Sequence, residues 1–224
     1  MTKVLEVSAV KFSADADYER VQNLYVFEDE ARAAGYELIA GVDEAGRGSL
    51  VGPVVVAAVI LPGDVYLERL DDSKKISAKI RDVLYDKIIS AAVSWNVVAV
   101  GVDEIDTLNV YRATLVGMKR AVEGLNVQPD FVLTDAMRVD FGEKISTRAI
   151  VHGDALSASI AAASILAKVT RDRLADDWAR LYPAYGFDHN RGYGTAEHMA
   201  AIEKFGACPI HRRSFNPVKS MPTN

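Results

Sequence analysis

The chain has 224 residues, half of them hydrophobic and a quarter charged, and a formal net charge of −5. This is the size and composition of one globular domain whose core is built by burial. Its single cysteine, Cys208, excludes an internal disulfide and a multi-cysteine zinc site and fits a reducing compartment, while the net acidity argues against a protein that coats nucleic acid by charge alone.

Residues 1–17 lack a basic region followed by an apolar run, so no secretory signal is expected. Apolar spacing predicts a helix over 17–34, with Tyr18, Val21, Leu24, Tyr25 and Ala31 on its stripe and Gly35 as its stop. A strand over 37–42 runs into the loop Asp43-Glu44-Ala45-Gly46-Arg47-Gly48. The β-branched run 54–61 reads as a strand buried on both faces, ended by Pro62-Gly63-Asp64. A polar loop over 71–77 leads into an amphipathic helix over 78–92, a strand over 95–102 and a helix over 106–124. Short strands follow at 131–134 and 147–151.

Asp154 is then expected to open a helix of small residues that ends near Trp178. Its apolar part is interrupted by Ser157, Ser159, Ser164 and Lys168 and is shorter than the roughly 20 residues that span a bilayer, so it reads as a buried helix and no membrane segment is expected. The stretch 183–194, rich in Gly, Asn and Tyr, is the candidate mobile loop, and a last helix covers 195–205. The order of elements predicts an α/β fold, a mixed sheet with helices packed on it.

Four acids stand where such a fold gathers ligands, at strand ends and helix starts: Asp43, Glu44, Asp135 and Asp154. Hard cations prefer oxygen ligands and keep several waters, so a few carboxylates suffice to hold them. Two such ions roughly 3.5–4 Å apart can activate water and steady a leaving oxygen. For any one acid, capping of a helix or strand is the plainer account; the set carries more weight than its members. In Gly46-Arg47-Gly48, glycines allow close backbone approach and Arg47 offers a forked phosphate donor, against the plainer account of a tight turn. Tyr193, within Arg191-Gly192-Tyr193-Gly194-Thr195, can stack on a sugar or base, or pack on the edge of the core. The histidines His152, His189, His198 and His211 lack zinc-ligand spacing and are expected mostly in solvent.

Taken together, these residues make the chain similar to the bacterial type 2 ribonucleases H (ribonuclease HII). The resemblance rests on 43–48 with Gly52-Pro53-Val54, on Asp72-Ser73-Lys74-Lys75, Gly153-Asp154 and the run 159–169, on Gly192-Tyr193-Gly194-Thr195 and on His211-Arg212-Arg213-Ser214-Phe215. It implies a ribonuclease H-like mixed sheet flanked by helices with a helical C-terminal part, in a catalytic domain over 37–224 behind a helical extension over 1–36. It implies endonucleolytic cleavage of the RNA strand of RNA–DNA hybrids and of single ribonucleotides embedded in duplex DNA, as in ribonucleotide excision repair. Two divalent cations, Mg²⁺ or Mn²⁺, would sit on Asp43, Glu44, Asp135 and Asp154, with Asp130 and Asp140 the neighbouring alternatives for the third acid. Gly46, Arg47, Gly48 and Tyr193 would read the ribonucleotide beside DNA, and Lys74 and Lys75 would touch the nucleic-acid backbone. A cytoplasmic monomer is expected. The chain departs from the family pattern at Ser49, Val51, His152 and Asn190-Arg191. The sister ribonuclease HIII family usually carries Lys in the glycine loop, so Arg47 favours type 2.

Overall fold

The computed structural model describes residues 14–63 and 65–221; the expectation for residues 1–13 and the turn residue Asp64 lie outside these. Two short helices, α1 (Ala14–Asn23) and α2 (Val26–Ala33), precede a hairpin of β1 (Ile39–Ala45) and β2 (Val54–Ile60). Then come α3 (Ala78–Ala91), β3 (Ser94–Val100), α4 (Val102–Leu108), α5 (Val110–Glu123), β4 (Phe131–Asp135) and β5 (Ser146–Ile150). The long α6 (Ala158–Leu181), a single-turn α7 (Phe187–Asn190) and α8 (Ala196–Phe205) follow.

The five strands form one sheet in the order β3-β2-β1-β4-β5. Its first three strands pair antiparallel, whereas β1–β4 and β4–β5 pair parallel, so the sheet is mixed as the sequence predicts. Every residue of β2 is buried, because side chains alternate across the pleat and both faces are covered. Val55, Ala57 and Val59 meet α6 and α3 on one face, and Val54, Val56, Ala58 and Ile60 meet α5 on the other.

Helix α6 crosses β1 with almost no side chain between them. A Cβ on Gly41 would lie 2.1 Å from the Ser159 carbonyl carbon, so glycine is required there by close approach. The N-terminus of α6 is closed from both sides. Ser157 caps it by accepting from Ile160 N. Glu28 of α2, fully buried, accepts from Ser157 Oγ at 2.7 Å, Ser159 N at 2.9 Å and Ser159 Oγ at 2.6 Å. A carboxylate at a helix N-terminus is favoured by the dipole and by the otherwise unpaired N–H groups. The acidic α1–α2 segment is thus a packed cover, in which Asp17 likewise accepts from Arg20, Tyr66 and the Arg69 amide.

Several expected boundaries shift for local reasons. The helix over 17–34 is broken after Asn23, which frees the Leu24 carbonyl to accept from Ala158 N at 2.9 Å. Tyr18 of its expected buried stripe is half exposed and meets Tyr66 edge-on at 5.2 Å. The expected strand over 95–102 stops at Val100, and the helix over 106–124 is two helices. Asn109 separates them with φ of +68°, and its side chain caps α5 by accepting from Arg112 N. Asp154 does not open α6; it sits in a 3₁₀ turn, Gly153–Ala155, ahead of the Ser157 cap. α6 ends at Leu181, not near Trp178. The stretch 183–194 contains a 3₁₀ turn and α7, with Tyr185, Phe187 and Asn190 buried.

Candidate active site

Three of the four acids converge. Asp43 stands near the end of β1, Asp135 ends β4, and Asp154 lies in the turn before α6. One carboxylate oxygen from each lies within 4.8 Å of the others. The parallel β1–β4 pairing puts the C-terminal ends of both strands on one rim. The Gly41–Ser159 crossing brings the segment before α6 to that same rim. A left-handed Ala136 turns the chain off β4, and a left-handed His152 points the Gly153 amide at Asp135 Oδ1, 2.8 Å away. Asp43 Oδ1 likewise accepts from Glu44 N at 2.7 Å.

Glu44 joins from the side. Its Oε1 accepts from Arg47 Nη1 at 3.0 Å, while its Oε2 is buried with no hydrogen-bond partner among the described residues. The electrostatics are those of a site short of positive charge. Burial first, then the charges of Glu44 and Asp135, push the Asp43 carboxyl well above its usual range. Burial raises Glu44 and Asp135 as well. Lys74 supplies part of the missing charge, with its Nζ 2.9 Å from Asp154 Oδ2. Burial works against its charged form, but the bond to Asp154 and the nearby Asp72 and Asp43 lift it to about 12. Its loop is tied down through Ser73, whose Oγ bonds Ser164 Oγ of α6 at 2.7 Å. Lys75 instead faces Asp71, 3.5 Å away.

The donor set fits hard divalent cations: converging carboxylates, all oxygen ligands, and a buried carboxylate oxygen that none of the described residues bonds. The neighbouring acids do other work. Asp130 accepts from the Glu37 and Leu38 amides at 2.9 and 3.0 Å, and the exposed Asp140 accepts from Gly142 N.

Beside the acids, the glycine loop faces Tyr193. A Cβ on Gly48 would lie 4.0 Å from the Tyr193 ring, and the ring is 40 % exposed. Two buried arginines, which sequence reasoning passed over, hold this pair of loops from beneath. Arg212 donates to the carbonyls of Gly46, Arg47 and Gly52 at 2.7, 2.8 and 2.9 Å. Arg171 donates to the carbonyls of Arg191 and Val51, and its guanidinium lies 5.4 Å from the Tyr193 ring centroid. These bonds turn the loop carbonyls inward onto guanidinium groups. The price is two buried cations among carbonyls; burial and the neighbouring Arg171 pull Arg212 down to about 9. For Arg212 a signal was present, since it belongs to a motif carrying the resemblance; Arg171 sits in the polar run Thr170-Arg171-Asp172-Arg173, where nothing marks it as buried.

The departures from the family pattern are accommodated locally. Buried Ser49 donates to the Gly192 carbonyl at 2.9 Å, joining the two loops. Asn190 bonds Gly192 N and the Tyr185 carbonyl, and Arg191 pairs with Asp176. The expectation of mostly solvated histidines is corrected: His152 and His189 are exposed, but His198 and His211 are buried behind the Tyr193 loop, where aromatic rings pack over them.

Comparison with known protein sequences points to one family. The profile of the family described as ribonuclease HII matches residues 40–218. A ribonuclease HII from Enterococcus faecalis is 48 % identical over 211 residues, covering 94 % of this chain and 82 % of the relative. One from Lactobacillus johnsonii is 56 % identical over 182 residues, covering 81 % and 72 %. Among solved structures, the ribonuclease H2 from Pyrococcus horikoshii superposes with a TM-score of 0.70 at 27 % identity, covering 82 % of this chain and 96 % of that one. Among the described residues no helix is long and apolar enough to cross a membrane.

Proposed function

Because the chain belongs to the ribonuclease HII family, we propose that it nicks duplex DNA on the 5′ side of an embedded ribonucleotide, as well as cutting the RNA strand of RNA–DNA hybrids. It is a ribonuclease H-type endonuclease. The convergence of Asp43, Asp135 and Asp154 within 4.8 Å carries the reading.

In this reading Asp43, Glu44, Asp135 and Asp154 hold two divalent cations, Mg²⁺ or Mn²⁺. Such ions, when bound, supply activation of water and stabilisation of charge on the leaving oxygen. Asp43 and Asp154 are each 4 % exposed, and Asp43 Oδ1 also accepts from the Glu44 amide. Lys74, bonded to Asp154, would meet the phosphate backbone, as would Lys75. Hydrolysis adds water across the phosphodiester: its oxygen joins phosphorus, the O3′–P bond breaks, and O3′ leaves with a proton. The products are a 3′-hydroxyl and a 5′-phosphate.

Phosphates are alike in RNA and DNA, so selectivity must come from the sugar. Gly46, Arg47 and Gly48 offer backbone groups close enough to bond a 2′-OH, and Tyr193 offers a flat face for the neighbouring deoxyribose. Arg47, freed from Glu44, reaches the phosphate. The lone cysteine, Cys208, buried and free, suits a cytoplasmic setting, and in this reading the enzyme acts on nucleic acid as a monomer.

The test is cleavage of one duplex carrying a single ribonucleotide against its all-DNA twin, with Mg²⁺. Cutting confined to the first, 5′ of the ribonucleotide, supports the proposal. Equal cutting of both would make the chain a general nuclease of this fold.

A further inference from the structure

Behind the Tyr193 loop runs a buried line of polar groups that cleavage does not use. His198 of α8 and His211 face each other with Nε2 atoms 3.1 Å apart. His198 Nδ1 lies 2.9 Å from the Tyr193 carbonyl oxygen, and His211 Nδ1 lies 3.0 Å from the Cys208 amide nitrogen. The rings of Tyr185 and Phe187 pack against both histidines, with centroids 5.3–6.3 Å away, and both imidazoles are buried.

The positions of the protons follow from chemistry. A carbonyl oxygen only accepts, so His198 carries its proton on Nδ1 and presents a bare Nε2. Two bare nitrogens would repel at 3.1 Å, so His211 carries its proton on Nε2. Its Nδ1 is then an acceptor, matched by the Cys208 N–H. The Cys208 carbonyl, 3.2 Å from that Nδ1, already accepts from His211 N. Both rings are neutral, in keeping with burial pulling each imidazole below its usual range.

We propose that His198 and His211 are positioning residues for ribonucleotide recognition: a one-directional line from Cys208 N–H through His211 and His198 that fixes the Tyr193 backbone and so aims its ring at the sugar. This rests on the reading of Tyr193 as the sugar reader. It assigns to the pair no contact with nucleic acid and no part in bond cleavage. The line works only with one tautomer at each ring, because a proton on the wrong nitrogen sets two hydrogens or two lone pairs face to face.

Two measurements test it. In nitrogen-15 spectra of the intact protein at neutral pH, His198 should show the Nδ1–H tautomer and His211 the Nε2–H tautomer. The opposite tautomer at His198, or a charged ring at either position, would overturn the proposal. Kinetically, His198→Leu and His211→Leu should lower kcat/KM on the single-ribonucleotide duplex by about tenfold relative to a uniform RNA–DNA hybrid, the worth of one hydrogen bond. His198→Asn and His211→Gln, which keep an N–H donor near the required place, should restore the preference. If folded Leu variants keep the preference that Tyr193→Ala loses, the positioning role is wrong. If Tyr193→Ala itself keeps the preference, the reader fails, and the role of the pair with it.

Discussion

Lys74 Nζ stands 2.9 Å from Asp154 Oδ2, a positive charge set among Asp43, Asp72 and Asp154. In the metal-free chain it offsets part of the repulsion between carboxylates. Lys74→Ala should therefore lower stability in chelator by about 1 kcal/mol, or ~2–4 °C in Tm. Saturating Mg²⁺ should shrink that deficit. Thermal melts with and without the ion check this; a deficit that Mg²⁺ leaves unchanged would remove the charge-balancing role.

Asp43→Asn should abolish cleavage and leave the metal-free fold as stable as wild type or more so. The folded pKa of Asp43 is raised by burial and by Glu44 and Asp135. Above the ordinary carboxylate value the unfolded chain gives up this proton and the folded chain keeps it. Metal-free stability thus falls as pH rises through that window, and the Asn variant should show a shallower fall, because Glu44 and Asp135 remain raised. Mg²⁺ at about a hundred times its Kd should add roughly 2.7 kcal/mol to wild type and far less to the variant. Full activity in Asp43→Asn, or unchanged metal binding by calorimetry, would defeat the metal assignment.

The three aspartates near β4 should separate cleanly. Asp135→Asn should lose activity by orders of magnitude at normal stability. Asp130→Asn, which weakens acceptance from Glu37 N and Leu38 N, should cost about 1 kcal/mol of stability but keep activity. Asp140→Asn should change neither. Loss of activity at Asp130 or Asp140 instead would relocate the third ligand.

The buried histidines make the fold sensitive to acid. The titratable groups facing His211 are His198, Cys208 and Tyr185. Burial, then His198, lowers His211 to about 4 from its ordinary 6.5. Between those values the unfolded chain binds a proton that the folded chain refuses. Stability from this site is complete above pH 6.5 and is lost as pH falls toward 4, by roughly 3 kcal/mol. Denaturant titrations from pH 7 to 4 should show this slope, reduced in His211→Gln. Equal slopes in the two proteins would place the acid lability elsewhere.

Gly46 and Gly48 should respond differently to a side chain. Gly46 has φ of +90°, and a Cβ there would meet Arg171 at 1.9 Å, so Gly46→Val should destabilise the loop. At Gly48 a Cβ has room against the protein, its nearest neighbour being Tyr193 at 4.0 Å. Gly48→Val should fold normally and lose ribonucleotide cleavage, because only the substrate is obstructed. Arg47→Ala should weaken binding and lower its salt slope by about one phosphate contact. A fully active Gly48→Val would refute the close approach.

What the sequence disclosed was local. The β2 run needs no partner to be recognised as doubly buried, and the acids announce themselves at strand ends. What it hid depends on distant partners or on competition between neighbouring signals. Asp154 looked like a helix opener, but Ser157, three residues later, caps α6 and is bound by Glu28 from 129 residues away. Asn109 was a legible cap in the middle of an apparently continuous helical pattern. His198 and His211, thirteen residues apart, become a pair only through the turn after α8, and their polarity argued for solvent. Arg171 and Arg212 are charged residues whose partners are backbone carbonyls, which no residue pattern records.

The crossing of β1 and α6 at Gly41 bears on how the enzyme fails when heated. Asp43 lies two residues beyond Gly41, and Asp154 five residues before Ser159, so the contact between main chains fixes the spacing of two proposed ligands. There is no rotamer between them to absorb a small displacement. Loosening of that crossing moves whole carboxylates apart rather than tilting one. On warming, Mg²⁺ affinity should therefore decay at lower temperatures than the circular dichroism of the helices, and crowding the crossing with Gly41→Ala should widen the interval between the two losses.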